Sequence, residues 1–330
     1  MEDDIWTVKR ILGWIEGYLA KRGDENPRLS AQWLVAEALD LSRMQLFMEY
    51  DRPLTPDERA VLRDWTRRRG AGEPLQYITG AVGFRHITLN VRKGVLIPRP
   101  ETELLVSEAL GLLPAAPKPQ DELDAELIHQ YEELGGVTDA EDSAALQEQP
   151  SRCGDLLVAD ICTGSGCIAC SIAYEHPLAR VIATDIAREA VDLARENVES
   201  LGLDNRVDVL ACDLGAGIDA NLLGRFDLVV SNPPYVPTDV LANIPREVAD
   251  HEPSLALDGG PDGLDVFRRL LDWCSIALKP EGAFAFELHE TCLGSASDEA
   301  IASGFRDVRI VDDLAGRPRV LVGRLAGIPQ

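Results

Sequence analysis

Apolar residues at Ile5, Val8, Ile11, Leu12, Ile15 and Leu19 recur every three or four positions, the spacing of one buried face of an α-helix. The helical rhythm continues to about Gly70. Within it "TPDE" carries a start signal: Thr55 is placed to cap free amides, Pro56 suits the first helical position, and Glu58 follows three residues after the cap. The pattern predicts a small all-helical domain over residues 1–80, with Trp6, Trp14, Trp33 and Trp65 in core or inter-helix packing. "FRHITLNV" then alternates apolar and polar positions, "RKG" turns and "VLIP" returns, so a β-hairpin is expected at 84–98, within a linker over 81–98. "RPETELLVSEALGLL" reads as a helix with Glu101 and Glu103 in its first turn, where negative charge is favoured.

From Gly154 onward the rhythm changes. "DLLVADI", "ARVIATDI", "RVDVLACD", "FDLVVSNPPY" and "GAFAFEL" are short strand-like runs, separated by helical patterns such as "AREAVDLARENVESLG". Strand and helix in alternation make a parallel sheet covered on both faces. The last run, "FRDVRIVDDLAGRPRVLVGRL", is two strands around a Gly/Pro turn, an antiparallel end to the sheet. The expected fold class is α/β, a doubly wound, mostly parallel, seven-stranded sheet occupying 99–330. Ligands of open sheets of this kind sit at the carboxyl ends of the strands.

Composition narrows the function classes. No stretch approaches the roughly 20 apolar residues of a membrane span, and the acidic start "MEDDIWTVKR" is unlike a secretory signal, so a cytoplasmic location is expected. Seven cysteines, an odd number, are read as free thiols. The formal charge of -24 argues against stable nucleic-acid binding and favours a basic or neutral protein partner. Residues 114–152 supply -8 of that charge, with ten acidic and two basic residues, and read as a solvated, partly disordered insert with one short helix near Asp121 to Leu134.

The chemistry gathers at strand ends. After the first strand, "TGSG" (Thr163, Gly164, Ser165, Gly166) allows a sharp turn into a helix and brings backbone amides against a ligand; alone, such a turn serves many nucleotides or merely tight packing. Asp185, 19 residues beyond Gly166, ends the second strand where a carboxylate accepts from ribose hydroxyls. Asp213 and Leu214 end the third, suited to an adenine amino group and its ring. Each Asp taken singly is equally a helix cap. The fourth strand ends in "SNPPYVP", where two prolines remove backbone freedom. Asn232 and the carbonyl of Pro233 offer two acceptors for a planar NH₂ group, Pro234 stiffens the corner, and Tyr235 can stack on the group's face. Acceptors aimed at an amide's hydrogens stabilise the positive charge that grows as its nitrogen attacks. A nucleoside cofactor beside such a clamp implies methyl transfer from S-adenosylmethionine.

At these residues the chain resembles the HemK/PrmC release-factor glutamine methyltransferases, through "GEPLQYITG", "FRHITLNVRKGVLIPRPETE", "ICTGSGCIA", "TDIAREAVDLARENV", "SNPPYVP", "EPSLALDGGPDGLDVFRRL" and "DLAGRPRVLVGR". The resemblance implies a class I S-adenosylmethionine-dependent methyltransferase. Its substrate would be the side-chain N5 of the glutamine in the Gly-Gly-Gln tip of class 1 peptide chain release factors. Carried over, Cys162 to Gly166, Asp185 and Leu214 lie against the cofactor, and Asn232 to Tyr235 hold the glutamine amide. "NPPY" also occurs in methyltransferases of base amino groups; "RPETE" joined to "LDGGPDGL" narrows the reading. The family usually has Gly where this chain has Cys162, and the acidic insert exceeds the usual connection. Nothing in the chain suggests an obligate oligomer.

Cys167 and Cys170 form a C-x-x-C with no second pair at ligand spacing, so packing is expected and no metal site. His86, His251 and His289 lie near site elements without a partner spacing. Glu287 is either a site-lining acid or a helix cap, and Arg99 and Glu101 are placed to close over the cofactor. The alternatives are methylation of a ribosomal-protein glutamine or of a nucleic-acid base, and a catalytically silent cofactor-binding module.

Overall fold

In the computed structural model the described residues are 5–115, 156–241, 244 and 246–327. The acidic stretch therefore lies outside them apart from residues 114 and 115. The chain opens with five helices: α1 (Val8–Ala20), α2 (Pro27–Leu39), α3 (Arg43–Met48), α4 (Pro56–Arg69) and α5 (Leu75–Thr79). Helix α1 buries Val8, Ile11, Leu12, Ile15 and Leu19, the positions the spacing singles out, against Leu34, Val35 and Leu62. Ile5, the first of the series, precedes the helix and is exposed. The start of α4 is a reciprocal cap: Glu58 N donates to Thr55 Oγ1 at 3.2 Å and Thr55 N donates to the Glu58 carboxylate at 2.7 Å. Trp6 and Trp65 pack on this core, while Trp14 stacks on Tyr18 at its margin and stays 45% exposed.

The hairpin differs from the expected one. Strands β1 (Ala81–Phe84) and β2 (Ile87–Asn90) pair antiparallel, so the turn falls at Arg85–His86, with Arg85 at φ 50°, and not at "RKG". The alternation over "FRHITLNV" spans a turn as well as a strand, and "VLIP" belongs to no strand. Buried Val95 and Ile97 hold that segment down, Val95 against Ala190 and Leu193.

Helix α6 (Thr102–Leu112) leads to the sheet. Its elements are β3 (Leu156–Ile161), α7 (Cys167–Glu175), β4 (Ala179–Asp185), α8 (Arg188–Ser200), β5 (Val207–Ala211), β6 (Phe226–Ser231), α9 (Arg246–His251), α10 (Asp265–Ala277), β7 (Leu278–Glu287), α11 (Leu293–Ala302), β8 (Phe305–Asp312) and β9 (Pro318–Leu325). The strand order is β5-β4-β3-β6-β7-β9-β8, parallel as far as β7, with β9 antiparallel to β7 and β8 antiparallel to β9. Alternate residues of β3 explain the two covered faces. Val158 joins Leu105, Ile168 and Val191 of α6, α7 and α8, whereas Ala159 joins Phe267, Leu271 and Ala296 of α10 and α11. Cys167 and Cys170 lie in the first of these cores, and burial pushes both thiols up in pKa. Strand order reverses between β3 and β6, which opens a crevice at their carboxyl ends.

Candidate active site

A cavity of about 200 Å³ lies at that crevice, and seven of the sequence-selected residues line it: Cys162, Gly164, Asp185, Asp213, Leu214, Asn232 and Pro234. Its floor is the turn after β3. Gly164 has φ 56° and open space where a Cβ would stand, so the backbone faces the cavity bare. Cys162 stands in the same left-handed region at φ 61°, a conformation that glycine adopts more readily. The turn is tied from behind: Thr163 Oγ1 donates to Asp160 Oδ2 at 2.6 Å, and Thr163 N donates to the Thr184 carbonyl at 2.9 Å. Thr163, Ser165 and Gly166 thus turn away from the cavity. At Gly166 an added Cβ would stand 3.2 Å from that of Ala194, so the glycine lets α7 and α8 approach.

Asp185 spans the turn and the next helix. Its Oδ2 accepts from Gly164 N and its Oδ1 from Ala187 N, both at 2.9 Å, and each oxygen keeps a second lone pair for a ligand hydroxyl. Burial nevertheless raises its pKa. Asp213, more exposed, pairs with Arg269, which also lines the cavity. The bare Gly164 backbone and the Asp185 carboxylate fit the main-chain and ribose contacts of a nucleoside cofactor, with Leu214 and Ile186 as apolar walls.

Over the cavity lie Gly94, Val95 and Leu96 on one side and Pro253, Leu255 and Ala256 on the other. Arg99 joins the two segments by pairing with buried Glu252, and Tyr77 donates to the Val95 carbonyl at 2.6 Å. Glu101 does not line the cavity; it precedes α6. Asn197, wholly buried in α8, binds Asn90 of the hairpin through both its amide ends and donates to the Ser165 carbonyl, so hairpin and glycine turn share one anchor. Its spacing from Ala190, Leu193 and Ala194 puts Asn197 on the buried stripe of α8, but nothing in the sequence names the partners it finds there.

The fourth corner begins where sheet pairing stops. Ser231 is the last paired residue of β6, so the Pro233 carbonyl lies beyond the ladder, and Pro233 itself is buried. Asn232 Nδ2 donates to Thr102 Oγ1 at 3.2 Å. The amide nitrogen is thus engaged by α6 while Asn232 lines the cavity, which leaves its carbonyl oxygen as the end available to a ligand. Tyr235 stands off the cavity, and its hydroxyl donates to Glu287 Oε1 at 3.1 Å. Glu287 ends β7 and is buried; it is no helix cap, since Cys292 holds that position for α11. Burial raises the Glu287 pKa, while Thr102, Tyr235 and Arg319 favour the charged form and Glu101 opposes it. Its Oε2 makes no hydrogen bond of ordinary geometry. Thr102 and Glu287 were within reach of sequence reading, one inside "RPETE" and one at a strand end, yet their meeting with Asn232 and Tyr235 was not. His86, His251 and His289 do not line the cavity.

"LDGGPDGL" packs on this corner. Val236 N donates to the Leu257 carbonyl and Gly259 N to that of Val236, at 2.8 and 2.9 Å. A Cβ at Gly259 would stand 2.7 Å from Tyr235 Cα, and one at Gly263 would stand 2.5 Å from the Tyr235 carbonyl oxygen.

A sheet of this order, with a nucleoside-suited cavity over its glycine turn, defines the class of S-adenosylmethionine-dependent methyltransferases. The family model of the PrmC N-terminal domain matches residues 10–80 and that of the methyltransferase small domain residues 143–248. The release factor glutamine methyltransferase of Geobacter sulfurreducens is 37% identical over 326 residues, 98% of each chain. That of Rhodopirellula baltica is 35% identical, covering 97% of this chain and 96% of its own. The chain belongs to the release factor glutamine methyltransferase family. A solved release-factor-specific protein-(glutamine-N5) methyltransferase from Alicyclobacillus acidocaldarius is 24% identical over 70% of this chain and 94% of its own, with a TM-score of 0.35.

Proposed function

We propose that the chain methylates the side-chain N5 of the glutamine in the Gly-Gly-Gln motif of class 1 peptide chain release factors, acting in the cytoplasm as a monomer without stable nucleic-acid binding. Residues 1–80 dock the protein substrate, 81–98 link, and 99–330 carry the chemistry. The observation that carries this reading is the orientation of Asn232, whose amide nitrogen is held by Thr102 so that its carbonyl faces the cavity. Asp185, Gly164, Asp213 and Leu214 hold the cofactor, with Cys162 against the turn. S-adenosylmethionine, when bound, supplies a methyl group made electrophilic by its sulfonium.

Asn232 Oδ1 and the Pro233 carbonyl accept the two hydrogens of the substrate carboxamide, Pro234 keeps the corner rigid, and Tyr235, off the cavity with its hydroxyl on Glu287, braces that corner from behind. Those two acceptors would lie against the positive charge that grows on the amide nitrogen during methyl transfer. Holding the amide in line removes most of its orientational freedom before reaction. The surplus proton then passes to water. The charge of -24 suits a basic protein loop better than a phosphate backbone.

The test is mass spectrometry of release factors, ribosomal proteins and nucleic acid after incubation with the enzyme and S-adenosylmethionine. A gain of one CH₂ on the Gly-Gly-Gln glutamine is expected, lost in Asn232→Ala although calorimetry still shows cofactor binding. Methylation of a ribosomal protein or a base, with none on the release factor, overturns the proposal.

A further inference from the structure

The two ends of an Asn side chain are nearly the same size, so only hydrogen bonds decide which end meets a ligand. Thr102 cannot decide this alone, because a hydroxyl donates or accepts equally well. Beside it stands Glu287, one of whose carboxyl oxygens accepts from Tyr235 while the other has no partner of ordinary geometry. Thr102 begins α6, which packs on β7, and both it and Glu287 are almost wholly buried. The ionised form of Glu287, favoured by Thr102, Tyr235 and Arg319 and opposed by burial, only accepts. A neighbouring hydroxyl therefore turns its single proton toward that carboxylate and presents its lone pair to Asn232, which must then offer its NH₂.

We propose that Glu287 and Thr102 are positioning residues: together they hold the Asn232 amide so that its carbonyl faces the substrate, and thereby make the corner select a carboxamide over a carboxylate. Neither touches the substrate. The inference rests on the proposed clamp role of Asn232 and deepens it. A glutamate in place of the target glutamine brings only lone pairs to the Asn232 carbonyl, and two acceptors repel. Reversing the Asn232 amide would remove that discrimination. Protonation of Glu287 puts a donor beside Thr102 and has the same effect, so turnover falls in acid. The groups facing that carboxyl are Thr102 from α6, Tyr235 from the corner, Arg319 from β9 and Glu101 ahead of α6.

The experiment compares Glu287→Gln, Thr102→Val, Thr102→Ser and Asn232→Ala in methylation of a release factor, with the same factor carrying Glu for the target Gln as competitor. Glu287→Gln and Thr102→Val are expected to lower kcat by about tenfold or more, with cofactor binding unchanged. In both, the preference for the Gln factor over the Glu factor falls by a similar ratio. Thr102→Ser, which keeps the hydroxyl, retains both rate and preference. If Asn232→Ala abolishes turnover while Glu287→Gln and Thr102→Val keep rate and preference, the positioning inference fails and the clamp stands. If Thr102→Ser is as impaired as Thr102→Val, the role is packing and the inference fails. If Asn232→Ala itself turns over normally, it is the clamp that fails.

Discussion

One nitrogen of Arg99, Nη2, lies 2.8 and 2.6 Å from the two carboxylate oxygens of Glu252, across 153 residues of chain. The pair bolts the segment after the hairpin to the loop after α9, and those two pieces form the upper wall of the cofactor cavity. Glu252 is buried while the Arg99 side chain is 34% exposed. Removing the arginine leaves a buried carboxylate unpaired, a change worth up to about 3 kcal/mol once partial solvent exposure is allowed for. Arg99→Ala is expected to weaken S-adenosylmethionine binding by about tenfold or more in calorimetry, with Arg99→Lys only partly restoring it.

Gly263 supports Tyr235 by having no side chain. Its φ is 78° and an added Cβ would meet the Tyr235 carbonyl and the Cys292 sulfur. Backbone cannot yield as a flexible side chain does, so Gly263→Ala is expected to cost about 2 kcal/mol or more in urea denaturation. It should also lower kcat. An alanine variant with wild-type stability would contradict the close approach.

Cys162 occupies a conformation that L-residues adopt at a cost of about 1–2 kcal/mol, offset in part by the chain entropy a glycine loses on folding. Cys162→Gly is therefore expected to raise stability by up to about 1 kcal/mol while leaving cofactor affinity equal or tighter. Denaturation and calorimetry on the same preparation check both. Burial, with Asp185 and Asp160 nearby, pushes the thiol pKa up, so slow reaction with a thiol reagent at neutral pH is also expected.

Asp160 is fully buried behind the glycine turn, and burial pushes its pKa up to about 7 from 3.8. The folded state thus holds the proton more tightly than the unfolded state. The stabilisation from that protonated form is complete below about pH 4, is lost as pH rises toward about 7, and is constant above. The span is worth at most about 4 kcal/mol. Asp160→Asn, which can still accept from Thr163 and Ala169, is expected to flatten that slope in urea titrations between about pH 4 and pH 7. An unchanged slope would mean that the other raised carboxyls, Asp185, Glu252 and Glu287, carry it.

Local rules made much of this molecule legible. The α1 stripe, the Thr55 cap and the strand-helix alternation each act over a few residues, through side-chain spacing and backbone sterics, so they can be read without a fold. Even so, alternation alone misplaced the hairpin, because residues on either side of a two-residue turn continue the same apolar rhythm. Gly164, Asp185, Asp213, Leu214 and Asn232 could be placed at one edge because each stands at or just beyond a strand end, and parallel strands deliver their carboxyl ends to one edge, whereas Cys162 entered through the resemblance alone.

What the chain order could not decide was which side chains would meet across the fold. Thr102 with Asn232, Tyr235 with Glu287, Arg99 with Glu252 and Asn90 with Asn197 are separated by 130, 52, 153 and 107 residues. Their types alone allow surface, cap or site. Packing chose among these by burying one member of each pair, and a buried polar group without a partner is costly enough that position in space, not position in sequence, settles its hydrogen bonds.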